Sequence, residues 1–109
     1  MNAQDDFVPV LQENELPEGS MKVVSVEGLP ILLVKLHDQI FAVSNRCPHM
    51  GCSLSGGTIK GYIITCPCHD WRFDLRTGQY EDVKEIKLTI YKWRIESGKI
   101  CIKLEEDIE

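Results

Sequence analysis

A chain of 109 residues is long enough for one core but too short to carry a separate catalytic domain beside it. With 43% hydrophobic and 27% charged residues it has the composition of an ordinary folded protein, neither disordered nor membranous. Its net charge of −5 argues against nucleic acid and against an anionic membrane as partners.

Met1-Asn2-Ala3-Gln4-Asp5-Asp6 has no basic region and no apolar stretch, so no secretory signal is expected and the default compartment is cytoplasmic. The acidic excess sits toward the ends, at Asp5, Asp6, Glu13, Glu15 and Glu18 and again at Glu105-Glu106-Asp107-Ile108-Glu109. It reads as solvated termini, or as a field that steers the chain toward a basic redox partner. Phe7-Val8-Pro9-Val10 suits an edge strand, because Pro cannot donate to a ladder. Glu15-Leu16-Pro17-Glu18-Gly19 is a turn, and Met21-Lys22-Val23-Val24-Ser25-Val26 is a β-branched strand. Gly28-Leu29-Pro30 breaks it, and residues 31–36 and 40–43 form a hairpin around His37-Asp38-Gln39. The longest apolar run, residues 29–34, is far short of a membrane span.

Beyond the first cysteines, Ser53-Leu54-Ser55-Gly56-Gly57 is turn-forming, and Thr58-Ile59-Lys60-Gly61 leads into a strand, Tyr62-Ile63-Ile64-Thr65, that delivers the chain to Cys66. Arg72-Phe73-Asp74-Leu75 and a turn at Arg76-Thr77-Gly78 follow. Residues 87–95 and 99–104 are two β-rich runs around Glu96-Ser97-Gly98, a closing hairpin. No segment has sustained helical periodicity. The fold class is all-β, a small antiparallel barrel or sandwich, with two Cys/His segments on loops between strands.

Those segments hold four of the five cysteines and two of the three histidines: Cys47-Pro48-His49-Met50-Gly51-Cys52 and Cys66-Pro67-Cys68-His69. Cys47-x-His49, sixteen residues, then Cys66-x-x-His69 gives each half one thiolate and one imidazole. A structural zinc site also uses four such ligands, but its halves usually come as like pairs. Mixed halves suit a two-metal cluster, in which each loop gives its Cys to one iron and its His to the other.

With Cys47-Pro48-His49-Met50-Gly51-Cys52-Ser53-Leu54, Cys66-Pro67-Cys68-His69, Phe73-Asp74 and Arg76-Thr77-Gly78 in place, the chain resembles a Rieske 2Fe–2S ferredoxin over most of its length. The resemblance implies one domain over residues 1–109, with a cluster-binding subdomain at about 45–75. It implies a single 2Fe–2S cluster whose inner iron is held by Cys47 and Cys66 and whose outer iron is held by His49 and His69. Two neutral imidazoles in place of thiolates favour the reduced state, with potentials of roughly −150 to +300 mV in such centres. The outer imidazole nitrogens are expected to have depressed pKa values beside ferric iron, so the potential should fall as pH rises through them. Gly51, Gly56 and Gly57 let backbone N–H groups approach the sulfides, and Pro48 and Pro67 stiffen the loops.

Cysteines at the positions of Cys52 and Cys68 form a disulfide in Rieske proteins of cytochrome bc complexes, and ferredoxins of the family usually lack it. The resemblance therefore implies a Cys52–Cys68 bond, uncommon in the cytosol. The high-potential members also carry a Ser and a Tyr that donate to sulfur, where this chain has Trp71 and Phe73. Fewer donors disfavour the added electron, so the potential belongs well below the bc-type range. Trp71 either shields the cluster or faces the partner. His37 reads as a solvated turn residue, Cys101 as a half-buried structural thiol, and Trp93 as a packing residue.

The family implies electron transport rather than catalysis: a ferredoxin between a flavin reductase and a terminal oxygenase or similar acceptor. The alternative is a small Rieske-type subunit of a multi-component oxidoreductase such as assimilatory nitrite reductase, and the remote one a structural zinc domain. Only His37 remains once His49 and His69 are used, too few histidines for a self-contained oxygenase with its mononuclear iron site. With no N-terminal anchor, a membrane-bound bc-type subunit is not expected either.

Overall fold

Ile31-Leu32-Leu33-Val34 is apolar without alternation, a pattern that persists in a strand only where both faces are covered. In the computed structural model, which describes residues 7–47, 52–68 and 70–104, this run is the centre of a middle sheet. The strands are β1 (Phe7–Gln12), β2 (Met21–Val26), β3 (Leu29–Leu36), β4 (Gln39–Ser44), β5 (Thr58–Lys60), β6 (Ile63–Thr65), β7 (Arg72–Asp74), β8 (Lys92–Glu96) and β9 (Lys99–Lys103). They form three antiparallel sheets, ordered β1-β9-β8, β2-β3-β4 and β5-β6-β7. Among the described residues the only helical turns are 3-10, at Glu13–Glu15 and Leu54–Gly56. The all-β, antiparallel expectation is borne out.

Side chains of β3 alternate between two apolar clusters. Leu32 and Val34, with Val43 of β4, face a cluster that also holds Ile64 of β6 and Phe73 of β7. Ile31 and Leu33, with Ile40 and Ala42 of β4, face a second that holds Ile100 and Ile102 of β9. The four consecutive residues of β3 are all 0% exposed, so one sheet serves as a wall of both cores. Each such side chain contributes about 1.5–3 kcal/mol through burial. In the β5-β6-β7 sheet Ile59, Ile64 and Phe73 share the inner face, while Thr58, Thr65 and Arg72 stand in register on the other.

Three hairpins turn on two residues that both have positive φ: Glu27-Gly28 (53° and 83°), His37-Asp38 (54° and 64°) and Ser97-Gly98 (53° and 75°). This is the paired left-handed geometry whose twist matches the strands. At His37-Asp38 there is no glycine to relieve it. Glu18 supports that turn instead, its carboxylate accepting the backbone N–H of His37 at 2.6 Å and of Asp38 at 3.0 Å.

β1 is an edge strand with a bulge after Pro9, in keeping with the proline. Other boundaries differ from the sequence expectation. Leu29 and Pro30 belong to β3 rather than to a break, because the turn closes on Glu27-Gly28 and Pro30 stands near the strand start, where a missing donor is tolerated. Residues 87–91 are not a strand, since they change partners as they run. Lys87 bridges Gln79, the Leu88 N–H donates to Gly78, the Thr89 carbonyl accepts from Ser44, and Ile90 bridges Val43. Trp93 does not pack inside; it lies 37% exposed on edge strand β8. No helix among the described residues is long and apolar enough to cross a membrane.

Candidate metal centre

Two strands that wall the same apolar cluster deliver the two Cys/His segments. Cys47 lies three residues beyond the end of β4, and Cys66 directly follows β6. Both are 1% exposed and belong to the cluster that contains Leu32, Leu54, Ile64 and Phe73. Residues 48–51 and His69 lie outside the described residues, so Pro48, His49, Gly51 and His69 have no structural account here.

Local hydrogen bonds fix the stem of each segment. In the first, Arg46 bridges Ser53, the Cys47 N–H donates to the Cys52 carbonyl at 2.8 Å, and the Leu54 N–H donates to the Asn45 carbonyl at 2.8 Å. Asn45 is buried, and its side-chain oxygen accepts the Ser55 N–H at 2.9 Å. In the second, the Cys66 N–H donates to the Trp71 carbonyl at 2.8 Å and the Asp70 N–H to the Cys66 carbonyl at 3.0 Å. Asp70 closes this turn at φ 59°, in the left-handed region that Asp enters more readily than most residues.

Cys52 and Cys68 are joined by a disulfide whose Cα atoms are 6.5 Å apart, tying one segment to the other. The Sγ atoms of Cys52, Cys66 and Cys68 all lie within 4.8 Å of one another. Cys47 and Cys66 are not part of the disulfide. Their burial in one apolar floor fits the soft, water-excluding sulfur side of an iron–sulfur site.

Gly57 has a local steric requirement of its own. A Cβ there would lie 1.9 Å from the Thr65 carbonyl oxygen, so only glycine lets this backbone pass the residue before Cys66. Pro67 is exposed, and its ring would be 3.6 Å from a Cβ at Gly56. Gly78, at φ 80°, ends the Arg76-Thr77-Gly78 turn, where a Cβ would meet the Leu88 carbonyl at 2.6 Å. Arg76 makes a two-point ion pair with Asp74 (3.0 and 2.9 Å) in the same turn. That guanidinium bond is the main reason the Asp74 carboxyl lies below the usual range.

Phe73 is fully buried beside Cys47 and Cys66. Trp71 is half-buried against the same cluster and stacks on Tyr80, rings 4.2 Å apart and 4° from parallel. Tyr80 also sits 5.5 Å from the Phe73 ring and packs on the cluster. Its hydroxyl donates to Asp82 at 3.3 Å. Burial, followed by the Asp82 charge, pushes its pKa up. Tyr80 is absent from the sequence motif because an isolated bridge, Phe73 to Tyr80, brings it here rather than any spacing. Asn45 is the second residue that the motif misses.

His37 is exposed at its turn, its ring 4.9 Å from that of Tyr62. Cys101 is more deeply buried than expected, at 3% exposure. It lies on the face of β9 away from Ile100 and Ile102, opposite Pro9 and Arg94, and burial raises its thiol pKa.

The Rieske [2Fe-2S] domain matches residues 6–92. The chain is 40% identical over 91 residues to the ferredoxin component of the naphthalene 1,2-dioxygenase system of Pseudomonas aeruginosa, covering 83% of this chain and 88% of that one. It is 35% identical over 95 residues to the ferredoxin component of the naphthalene 1,2-dioxygenase/salicylate 5-hydroxylase systems of a Ralstonia species, covering 84% and 89%. A solved complex of reduced oxygenase and oxidized ferredoxin in carbazole 1,9a-dioxygenase contains a chain that superposes with a TM-score of 0.83. That match has 26% identity and covers 94% of this chain and 97% of the other. The buried cysteine pair, the loops that carry it and these likenesses agree: the chain belongs to the Rieske [2Fe-2S] domain family, whose members hold an iron–sulfur cluster.

Proposed function

We propose that this chain is a one-electron carrier, the ferredoxin component of an oxygenase system, in which Cys47, Cys66, His49 and His69 hold one Rieske 2Fe–2S cluster. The observation that carries the reading is the burial of Cys47 and Cys66, 1% exposed each, in one apolar cluster at the ends of two stapled loops. The likeness to ferredoxin components of dioxygenase systems supports a flavin reductase as donor and a terminal oxygenase as acceptor. Cytoplasmic residence and a single domain over 1–109, with residues of about 45–75 as the cluster-binding part, belong to the same proposal. The β5-β6-β7 sheet and the disulfide that joins its loop to the first segment support that division.

When bound, such a cluster supplies reversible exchange of a single electron. The chain's own residues set the conditions for it. Cys47 and Cys66 present sulfur from a dry floor, which lowers the local dielectric and keeps water from the inner side. The Cys52–Cys68 bond holds the two loops at a fixed separation, limiting reorganisation when the charge changes. Phe73 packs beside Cys47 and Cys66 without an O–H to donate, and Trp71 with Tyr80 covers the adjoining flank.

EPR of the dithionite-reduced protein tests the ligand set. The expected spectrum has an average g below that of all-Cys clusters, with iron and labile sulfide in equal amounts. Cys47→Ser, Cys66→Ser, His49→Ala and His69→Ala should each lose it. A colourless, zinc-containing protein would overturn the reading. Purification as an obligate complex with a large oxidoreductase subunit would transfer it to the small-subunit alternative.

A further inference from the structure

Reduction of the disulfide would leave three thiols, not two, in one place. Cys66 Sγ lies within 4.8 Å of both Cys52 Sγ and Cys68 Sγ. Backbone hydrogen bonds hold the arms that carry these sulfurs in addition to the S–S bond. The Cys47 N–H bond to the Cys52 carbonyl holds the first, and the Cys66 bonds to Trp71 and Asp70 hold the second. Pro67, between Cys66 and Cys68, removes one backbone rotation from the second arm. Opening the bond therefore frees two sulfurs without scattering them.

We propose that reduction of Cys52–Cys68 creates a second metal site, in which Cys52, Cys66 and Cys68 together bind a soft divalent cation, zinc above all. Zn–S bonds of about 2.3 Å in a tetrahedron place sulfurs about 3.8 Å apart, a separation the trio reaches with small side-chain shifts. Burial grades from Cys66 through Cys52 to exposed Cys68. The cation enters from the Cys68 side, and its fourth position stays open to water, as in three-ligand zinc sites. A dithiol reductant supplies the two electrons and two protons that break the S–S bond, becoming a disulfide itself; zinc then displaces the three thiol protons.

The site goes beyond the electron-carrier reading and requires no part of it, although Cys66 is common to both. The shared residue gives the disulfide a selective role. Closed, it withholds two competing thiolates from beside Cys66; open, it lets zinc take Cys66 away from iron. In a reducing compartment the state of this one bond decides which metal the loops accept.

The test uses the full chain, cluster-free and anaerobic, with zinc affinity measured by competition with a chromogenic chelator. After treatment with a phosphine reductant, one zinc should bind on the order of 100-fold or more tightly than before reduction. Cys66→Ser should lose at least tenfold of that gain, and Cys101→Ser none. Cadmium titration of the unmutated reduced chain, which relies on no variant folding, should give a sulfur-to-metal charge-transfer band of three thiolates. Equal affinity before and after reduction, full affinity in Cys66→Ser, or a cadmium band of fewer thiolates would overturn the site. Equal affinity in denaturing urea would do so as well, since binding would then owe nothing to the fold.

Discussion

At the scale of single residues, chemistry that a side chain must perform is easier to read than its neighbours. The cysteines of the two segments are visible in the sequence because their clustered spacing is unusual, whereas Tyr80 arrives through one bridge to Phe73 and has no local signature. Phe73, fully buried in the apolar cluster that holds Cys47 and Cys66, is the position at which we propose that an O–H donor to the iron–sulfur cluster is missing. Phe73→Tyr should raise the midpoint potential of the cluster-loaded protein, read in a redox titration against the unmutated chain. If the new hydroxyl finds no partner it will instead cost about 1–3 kcal/mol of stability, with the potential unmoved. Glu18 makes a different prediction. Its two backbone hydrogen bonds, to Asp38 and then His37, hold its pKa below the ordinary value. A carboxylate depressed in this way stabilises the fold above its unfolded pKa and ceases to do so as pH falls through the lower, folded value. The melting temperature of the unmutated chain should therefore exceed that of Glu18→Gln at neutral pH, and the two should converge only as pH falls below the ordinary Glu value of about 4.3 and through the lower, folded one.

At the scale of elements, short turns were the readable part and long runs the deceptive one. His37-Asp38 and Ser97-Gly98 mark their hairpins in sequence, and β2 begins and ends where its β-branched pattern does. Residues 87–95 look like one long strand, yet the first half makes single bridges, Lys87 to Gln79 beyond β7 and Ile90 to Val43 of β4, and only Lys92–Glu96 pairs continuously. Propensity cannot register such a change of partner. Gly57 shows the same limit, looking like loop flexibility when its requirement is the Thr65 carbonyl 1.9 Å from where a Cβ would stand. Gly57→Ala must push β5 away from β6, and we expect a loss of about 1–3 kcal/mol in chemical denaturation. Cluster retention should fall with it, since Thr65 adjoins Cys66. An unchanged midpoint would mean that the two strands separate at no cost.

At the scale of the molecule, one sheet separates two cores, and neighbouring residues of β3 report on different ones. Leu32 faces the cluster with Cys47 and Cys66, and Leu33 faces the cluster with Ile100 and Ile102. Truncation of either to Ala should cost about 2–5 kcal/mol. Only Leu32→Ala should also speed loss of the metal centre under native conditions, followed as bleaching of visible absorbance; equal bleaching rates would show that the two cores act as one. The sequence suggests a strand at residues 31–36, but not that its two faces belong to separate cores, because that division depends on where β6, β7 and β9 fold back. The same division separates the two tryptophans. Trp71 lies flat on Tyr80 against the sulfur-bearing core, and Trp93 lies partly exposed on the far sheet. The protein should thus carry its own optical gauge: Trp71 emission is expected to brighten as the iron centre decays, while that of Trp93, on the far sheet, changes less.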